Sequence, residues 1–329
     1  MPSVYDNLPY LEPTGEILCD NRHDWRKSKL KSRAISEAMP NLDKYWLARS
    51  SRMEDCGSML SFAISKTGEK RLYRANFCRD RMCPSCQLRR SRIVFSQVQD
   101  VCYSIRKENP SYRYLLLTLT VPNVPYEALG GEITHMMQSY KRLMKRVDVM
   151  KAVKGAFRTL EVTFNQETQT YHPHFHVLLC VPSNYFTKNY IKQERWLELW
   201  REATRNPNIT QTDIRVIRPN AKRQKADIES AAAEVAKYAT KPSDYLECLP
   251  NGDWIADKDR VSELARILKG RRLISFSGLM LEHLKKLGLE DVESDSVDLI
   301  HTDDNASDIE AVMIQVFRWN AGFKNYISY

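Results

Sequence analysis

Histidines alternate along one short apolar stretch of the chain, Tyr171–Val181, which reads YHPHFHVLLCV. Three of the seven histidines in the sequence, His172, His174 and His176, lie here within five residues. Successive side chains of a β-strand point to opposite faces, so a strand would place all three imidazoles on the same face. Imidazoles arranged in this way can bind a divalent metal ion, and a bound metal ion can polarise a phosphate. The alternative is a strand end that carries ordinary half-buried histidines.

A second group of reactive side chains lies in residues 227–241, DIESAAAEVAKYATK, an alanine-rich run without glycine. Alanine favours a helix, and Pro242 would end it. Glu234, Tyr238 and Lys241 are spaced by four and then three residues, so a helix presents them on one face. A tyrosine beside a cation and a metal-bound phosphate becomes a competent nucleophile. The alternative is a tyrosine in the core, with Glu234 and Lys241 forming a solvated ion pair.

The expected location of the chain decides how its cysteines should be interpreted. The N-terminus, MPSVYDN, lacks the basic and then apolar pattern of a secretory signal. No apolar run approaches the roughly 20 residues that would cross a membrane. We therefore expect a cytoplasmic protein without a membrane partner. In a reducing compartment, grouped cysteines are better explained by metal binding than by disulfides.

The cysteines predict a structural Zn²⁺ site. Cys83 and Cys86 have the two-residue spacing that brings two thiolates onto one ion. The predicted ligands are Cys56, Cys78, Cys83 and Cys86. Cys19 or His23 is an alternative to Cys56 as the fourth ligand, and a redox dithiol is the alternative for Cys83 and Cys86. The metal would stabilise a small zinc-ribbon-like module that could not form a core unaided.

The charge of the chain indicates a polyanionic partner. The net charge is +9, but residues 290–310 contain nine acidic residues and no lysine or arginine. The rest of the chain therefore carries about twice that excess, and nucleic acid is the commonest partner of such a basic protein. We expect the acidic stretch itself to be mobile or solvated.

Basic residues are concentrated around the cysteines, with Tyr73 and Phe77 among them. This interleaving suits phosphate contacts combined with base stacking, and a solvated face beside a zinc site is the alternative. A second basic group precedes the tyrosine run. The predicted DNA-contacting arginines of the two groups are Arg79, Arg81, Arg89, Arg90, Arg92, Arg218 and Arg223.

Hydrophobic periodicity predicts the elements that position these side chains. Strands are expected at Tyr114–Val121, Phe157–Asn165, His172–Val181 and Asp213–Ile217, and helices within 126–153, at Asn189–Thr204 and at Ile228–Thr240. The resulting β-α-β-β-α-β-α order indicates an α+β domain with a central antiparallel sheet. We predict a polar N-terminal segment without a strong fold signal at 1–50, the zinc module at 51–110, the α+β domain at 111–245 and a C-terminal region at 246–329.

The two middle strands should form a hairpin, which introduces a third candidate ligand. Glu161 on the first strand could face the histidines of the second, giving a two-histidine, one-carboxylate set for Mg²⁺ or Mn²⁺. A register slip of one residue would turn Glu161 to the other face. His172 is the alternative third ligand.

Taken in order, these motifs resemble those of the plasmid rolling-circle replication initiators, the Rep proteins of the HUH endonuclease superfamily. The first is a strand ending in threonines, Tyr114–Thr120 (YLLLTLT). The second is the pair His174-Phe175-His176, and the third is the helix with Glu234 and Tyr238. A single tyrosine with a glutamate one turn before it resembles the single-tyrosine plasmid subgroup. The resemblance covers roughly residues 50–280 and extends to Cys78–Cys86 and Thr159–Asn165.

The resemblance implies an HUH nuclease domain preceded by the zinc module. It further implies a metal-dependent, site-specific DNA endonuclease that nicks one strand of a double-stranded plasmid origin. Tyr238 would form a 5′-phosphotyrosyl bond and free a 3′-hydroxyl. A host polymerase would extend this hydroxyl, and a host helicase would be a further partner. Lys241 would offset charge at the phosphate, and Glu161 would join His174 and His176 at the metal.

The resemblance also assigns a role to Glu234, as the base that activates water for a terminating second cut. An i,i+4 partner on the helix is the alternative for that residue. A dimer is one option for the oligomeric state. Two other functions stay open. An HUH relaxase or transposase would use the same chemistry on another DNA end, whereas a non-catalytic zinc-ribbon regulator would bind DNA without a divalent ion or a covalent adduct.

Overall fold

The computed structural model describes residues 7–20, 22–218, 226–236, 242–294, 296–302 and 309–329. The chain divides into two compact units. The first comprises Met1–Ile93, Tyr245–Arg266 and Asp295–Tyr329, and the second comprises Val94–Asp244 and Ile267–Ser294. Both units combine helices with antiparallel sheets, which confirms the predicted α+β class. No helix in the described part of the chain is long and apolar enough to cross a membrane.

The helices are α1 (Trp25–Ala38), α2 (Lys44–Asp55), α3 (Pro84–Glu108), α4 (Tyr126–Met144), α5 (Val147–Ala152), α6 (Gln193–Thr204), α7 (Asp227–Val235), α8 (Lys258–Ile267) and α9 (Leu279–Lys286). The strands are β1 (Met59–Ser65), β2 (Lys70–Ala75), β3 (Arg113–Thr120), β4 (Gly155–Asn165), β5 (Thr170–Val181), β6 (Thr212–Val216), β7 (Leu246–Cys248), β8 (Trp254–Ala256), β9 (Ile274–Gly278), β10 (Ala311–Asn320) and β11 (Asn325–Ser328). Single 3₁₀ turns occur at Ser183–Phe186 and Pro242–Asp244.

The first unit is built on a four-stranded sheet with the strand order β11-β10-β1-β2. Trp25, the first residue of helix α1, packs with Phe62 and Phe317 of this sheet. Asp24 begins this helix by accepting a hydrogen bond from the main-chain N–H of Lys27. The expectation that residues 1–50 lack a fold signal is therefore wrong. The buried residues of α1 have helical spacing. The mean hydropathy of the whole helix is nevertheless low, because lysines and arginines lie between these residues in the sequence.

Part of the acidic stretch is also ordered. In the second unit Val292 is only 2% exposed. In the first unit Val297 and Leu299 are 3% and 1% exposed. The expectation of a mobile or solvated stretch is wrong for these residues, because their apolar side chains are buried between the acidic ones. Residues 303–308 lie outside the described part of the chain.

The second unit contains a five-stranded antiparallel sheet with the strand order β6-β3-β5-β4-β9. The predicted β-α-β-β-α-β-α order is confirmed up to α7, and β9 adds an edge strand next to β4. The predicted hairpin is confirmed as well, because β4 and β5 pair from Gly155↔Cys180 to Asn165↔Thr170. Directly opposed residues share a face of a sheet, so this register decides which side chains meet.

The two faces of this sheet have different neighbours. On one face Phe175 meets Tyr140 of α4, with ring centroids 5.8 Å apart. The opposite face carries Tyr114 and the even-numbered histidines of β5. There the Tyr114 hydroxyl donates to the Cys102 carbonyl of α3, and α7 contacts β5 and β3.

Helix α7 is held at its first residue by an ion pair that the sequence did not suggest. The two guanidinium nitrogens Nη1 and Nη2 of Arg106 donate to the carboxylate oxygens of Asp227 at 3.0 and 2.6 Å. Hydrogen bonding from Arg106 lowers the pKa of the Asp227 carboxyl. The pair fixes the start of the helix that carries Glu234.

We predict that Asp227→Asn lowers the free energy of unfolding by about 1–2 kcal/mol, because the bidentate pair is lost at a partly buried position. A carboxylate with a lowered pKa stabilises the folded state above its unfolded pKa of about 4, and this stabilisation is lost as the pH falls through the folded value. Urea unfolding at pH 7 and pH 3 measures the difference. The matched control is Asp148→Asn, whose partner Arg195 is exposed and whose loss should stay below about 0.5 kcal/mol. A loss at Asp227 that did not change with pH would contradict the prediction.

Candidate metal centres

Four cysteine sulfurs meet in the first unit. Cys56 ends α2, Cys78 follows β2, and Cys83 and Cys86 flank the start of α3. All four Sγ atoms lie within 4.8 Å of one another. The Sγ atom of Cys56 is 3.6 Å from those of Cys83 and Cys86, and the Cys78–Cys86 distance is 3.7 Å.

These distances fit a tetrahedral metal ion. Four sulfurs placed about 2.3 Å from one ion lie about 3.8 Å apart, whereas a disulfide requires about 2.05 Å. All four cysteines are free thiols. Hydrogen bonding with the neighbouring thiols raises the pKa of Cys78 and Cys86 well above the ordinary value. Four thiolates therefore need a cation between them, and the residues present fit one.

Main-chain amides surround the sulfurs. Cys78 and Asp80 donate their N–H groups to the sulfurs of Cys56 and Cys78, at 3.3 and 3.4 Å. Arg79, whose φ of 60° is left-handed, donates its N–H to Cys86 at 3.2 Å. Such N–H···S contacts orient the thiolates and stabilise their negative charge. The turn is anchored from outside by Arg49, whose Nη2 donates to Asp80 at 3.0 Å.

The structure brings together the four cysteines predicted as zinc ligands, and neither alternative fourth ligand belongs to that group. Cys19 is exposed. The Nε2 of His23 is 3.0 Å from the Ser28 hydroxyl. Cys102, Cys180 and Cys248 are isolated in the sequence, which predicts cysteines that pack in a core. Cys102 and Cys180 are buried, but Cys248 is exposed, so the prediction is wrong for Cys248.

We predict that the purified protein holds about one Zn²⁺ per chain, and that Cys56→Ser reduces this content severely. Loss of one of four thiolates leaves the ion incompletely held and the first unit less stable. Metal analysis after dialysis against a chelator measures the content, and thermal unfolding measures stability. Cys19→Ser is the control and should keep the metal. A Cys19→Ser protein that lost its metal while Cys56→Ser kept it would reverse the ligand assignment.

A second cluster lies on the sheet of the second unit. Glu161 on β4 is directly opposite His174 on β5, and His176 is the next residue of β5 on the same face. The Oε2 atom of Glu161 is 3.3 Å from Nε2 of His174 and 3.0 Å from Nε2 of His176. Glu161 and His174 are buried, and His176 is partly exposed. The three side chains form the only other group besides the cysteines that could hold a metal ion within the described residues.

Neighbouring groups orient the two imidazoles. The Nδ1 atom of His174 is 3.1 Å from the main-chain carbonyl of His172, which can only accept, so Nδ1 donates and Nε2 is directed to the cluster. The Nδ1 atom of His176 is 3.4 Å from the hydroxyl of Thr118 on β3. Burial acts to raise the pKa of Glu161, but the contacts with both histidines outweigh it and hold that pKa well below its usual range.

The spacing suits a divalent ion. Adjacent ligands of an octahedral ion at about 2.1 Å lie about 3 Å apart, close to the observed separations. Two imidazoles and one carboxylate leave further positions for substrate oxygens. His172 is outside this group, with its ring stacked on His174 at a centroid distance of 5.2 Å. Burial and the nearby His174 lower the pKa of His172.

The predicted catalytic helix is described only in part. Glu234 lies on α7, and its carboxylate is 3.3 Å from Nη2 of Arg215 on β6. Arg215 pairs with Leu116 in the sheet register, which places it on the same face as Thr118 and the metal-site histidines. Tyr238 and Lys241 lie outside the described residues.

The arginines predicted to contact DNA occupy different environments. Arg89 is 3% exposed and donates to the carbonyls of Leu299 and Ile300. Arg90 is also buried and donates to the carbonyl of Arg79, whose own guanidinium donates to the carbonyl of Val297. Arg81 and Arg92 are partly exposed, Arg218 is exposed, and Arg223 lies outside the described residues.

One family of known proteins matches most of this chain. A family model described as a replication protein matches residues 69–327. The chain belongs to this replication protein family. The expected resemblance to plasmid replication initiators is therefore confirmed.

Members of the family match most of the chain. A Protein rep of Streptococcus pneumoniae serotype 2 is 36% identical, over 96% of this chain and 96% of that protein. A Protein rep of Bacillus amyloliquefaciens is 35% identical, over 93% of this chain and 94% of that protein. A replication protein of Staphylococcus aureus is 39% identical, over 70% of this chain and 96% of that protein. No solved structure matches the chain.

Proposed function

We propose that this replication protein initiates rolling-circle replication of a plasmid by nicking one strand of the double-stranded origin. The reaction is transesterification by a tyrosine, and the second unit is an HUH nuclease domain. The observation that carries the proposal is the cluster of Glu161, His174 and His176 on one sheet face in a chain of this family.

In this proposal Glu161, His174 and His176 hold Mg²⁺ or Mn²⁺. Their donor set, one carboxylate oxygen and two imidazole nitrogens, suits such an ion. When bound, the ion supplies Lewis-acid polarisation of a non-bridging oxygen of the scissile phosphate. The carbonyl of His172 and the hydroxyl of Thr118 keep the two rings in place before any DNA arrives.

Tyr238 is the proposed nucleophile. Its Oη bonds to phosphorus, the bond from phosphorus to the 3′ oxygen breaks, and the proton lost by the phenol is made up on the departing oxygen, which leaves as the 3′-hydroxyl. Support comes from the described residues on either side of it in the sequence. Helix α7, which precedes Tyr238, contacts β5. Asp244, which follows it, accepts the main-chain N–H of Phe164 on β4 at 3.0 Å.

Lys241 offsets the negative charge that develops at the phosphate in this mechanism. Glu234 activates water for the terminating second cut, so that one tyrosine is sufficient for one round. Arg215 holds the Glu234 carboxylate 3.3 Å away over the metal-binding face. Exposed and partly exposed arginines, including Arg81, Arg92 and Arg218, contact origin DNA, while the Zn²⁺ site holds the first unit in shape. A host helicase and polymerase use the nicked strand.

We predict that Tyr238→Phe abolishes both nicking and the covalent protein–DNA adduct. Removal of the hydroxyl removes the proposed nucleophile and leaves the ring. Supercoiled plasmid with its own origin is incubated with Mn²⁺ and resolved on denaturing SDS gels. Tyr245→Phe, a buried tyrosine after the same segment, is the matched control and should still form the adduct. An adduct that survived in Tyr238→Phe would move the nucleophile elsewhere, and DNA binding without any nick in the wild type would favour a regulator.

We predict that Glu161→Gln and His172→Ala have different effects on metal binding, because Glu161 is a proposed ligand and His172 only lies beside the site. Glu161→Gln should raise the Mn²⁺ concentration for half-maximal nicking by more than about 100-fold, since a charged donor is lost. His172→Ala should raise it by less than about ten-fold, because His174 is oriented by the main-chain carbonyl of residue 172, which the variant keeps. Titration of nicking with Mn²⁺ measures both. The opposite ranking would identify His172 as the third ligand.

A further inference from the structure

A groove lies at the end of the second unit's sheet where β5 ends and β4 begins. Its volume is about 530 Å³, and its walls come from α5, the first residues of α6 and the loop before α6. Glu161 is six residues from Gly155, the first residue of β4. At about 3.3 Å per residue the metal cluster is therefore roughly 20 Å further along the sheet. The groove is a separate surface from that cluster.

Two aromatic rings are presented to solvent beside this groove. Tyr185 is buried, and its hydroxyl donates to the carbonyl of Ile191 at 3.2 Å, which closes the loop. The ring of Tyr185 meets Phe186 and Tyr190 edge-on, at centroid distances of 5.2 and 5.7 Å. Phe186 is 41% exposed and Tyr190 is 58% exposed. The buried Tyr185 thus holds the loop in place, while the rings of Phe186 and Tyr190 stay accessible.

Lysines line the same groove. Lys151, Lys188 and Lys192 are exposed, and no carboxylate pairs with them in the part of the chain that the structure describes. The acidic side chains of the lining behave differently. Arg195 lies 3.3 Å from Asp148 and 3.1 Å from Glu198, so its single charge offsets these two carboxylates only in part. With Glu194 included, the lining carries four basic and three acidic side chains, and its net charge is +1.

We infer that this groove binds single-stranded nucleic acid, with phosphates on the three lysines and bases stacked on Tyr190 and Phe186. Aromatic faces next to mobile ammonium groups are the usual means of holding a single strand without sequence preference. A duplex hides the base faces that these rings would contact. The inference rests on the proposed function in one respect, because nicking and strand displacement would supply a single strand near the metal cluster.

The test uses the full chain in EDTA and a fluorescent oligothymidylate of about ten nucleotides, followed by anisotropy at several salt concentrations. The groove variant combines Lys151→Gln, Lys188→Gln and Lys192→Gln. Each phosphate contact with a single strand contributes about 0.7 to the slope of log affinity against log salt, so the slope should fall by about 2. The control variant, Lys107→Gln with Lys141→Gln and Lys285→Gln, removes the same charge from exposed positions outside the groove and should keep the slope.

Stacking is tested separately with Tyr190. Tyr190→Ala should weaken oligothymidylate binding by about five-fold to a hundred-fold, whereas Tyr190→Phe should bind as the wild type does, because it keeps the ring. Equal losses in the groove and control variants, or no loss in either, would overturn the inference. So would a groove variant that lost affinity for polyglutamate but not for oligothymidylate, since the groove would then fit an acidic peptide.

The same measurements distinguish this inference from the proposed function. Glu161→Gln should keep its affinity for oligothymidylate in EDTA, because the groove needs no divalent ion. If the wild type bound the oligonucleotide through the groove but never nicked origin DNA, only the proposed function would fail. If it nicked normally and the groove variant bound as tightly as the wild type, only the groove inference would fail.

Discussion

The pairing of Glu161 with His174 across two neighbouring strands is the contact on which the metal-binding face depends. It places a carboxylate against two imidazoles, 3.3 and 3.0 Å from their Nε2 atoms, at a position where all three are largely shielded from water. Burying a carboxylate is costly unless it is paired, and here the two histidines pair with it. The arrangement exists only in one register of the β4–β5 hairpin. A slip of one residue would turn Glu161 into the apolar layer beneath α4.

The rest of the second unit maintains that register. Strand β3 pairs with β5 on the other side and brings Thr118 to His176, so three strands contribute to one short row of polar groups. The opposite face is filled by Phe175 and its aromatic partner Tyr140, which makes the reverse orientation of β5 unfavourable. Polar chemistry on one face is therefore stabilised by ordinary packing on the other. The ion pair between Arg106 and Asp227 similarly positions α7, because it holds the first residue of that helix against α3.

Local patterns predicted the parts of this arrangement that depend on neighbours in the sequence. Alternation in YHPHFHVLLCV set the histidine face, and the polar turn after Asn165 made the hairpin and the approach of Glu161 predictable. The two-residue spacing of Cys83 and Cys86 likewise indicated a metal turn, and the structure brings the predicted partners Cys56 and Cys78 to it. Contacts between residues far apart in the sequence could not be predicted from such patterns. Nothing near Arg89 in the sequence indicates that the carbonyls of Leu299 and Ile300 surround its guanidinium group, so its basic neighbourhood suggested DNA contact instead. The fold of α1 was missed because a lysine-rich helix with a narrow apolar stripe resembles a polar segment.

The central strand β1 has neighbours from very different parts of the sequence. It pairs with β2 directly after it and with β10 near the end of the chain, so that Met59 is opposite Arg318. During synthesis, β1 and the cysteines around it emerge early, but β10 is made much later. All five strands of the other sheet have been made by then. Closing so long a loop is slow compared with forming local hairpins. A ribosome-bound chain can thus complete its metal-binding hairpin first, and the sheet beside the cysteines forms only after β10 has been made.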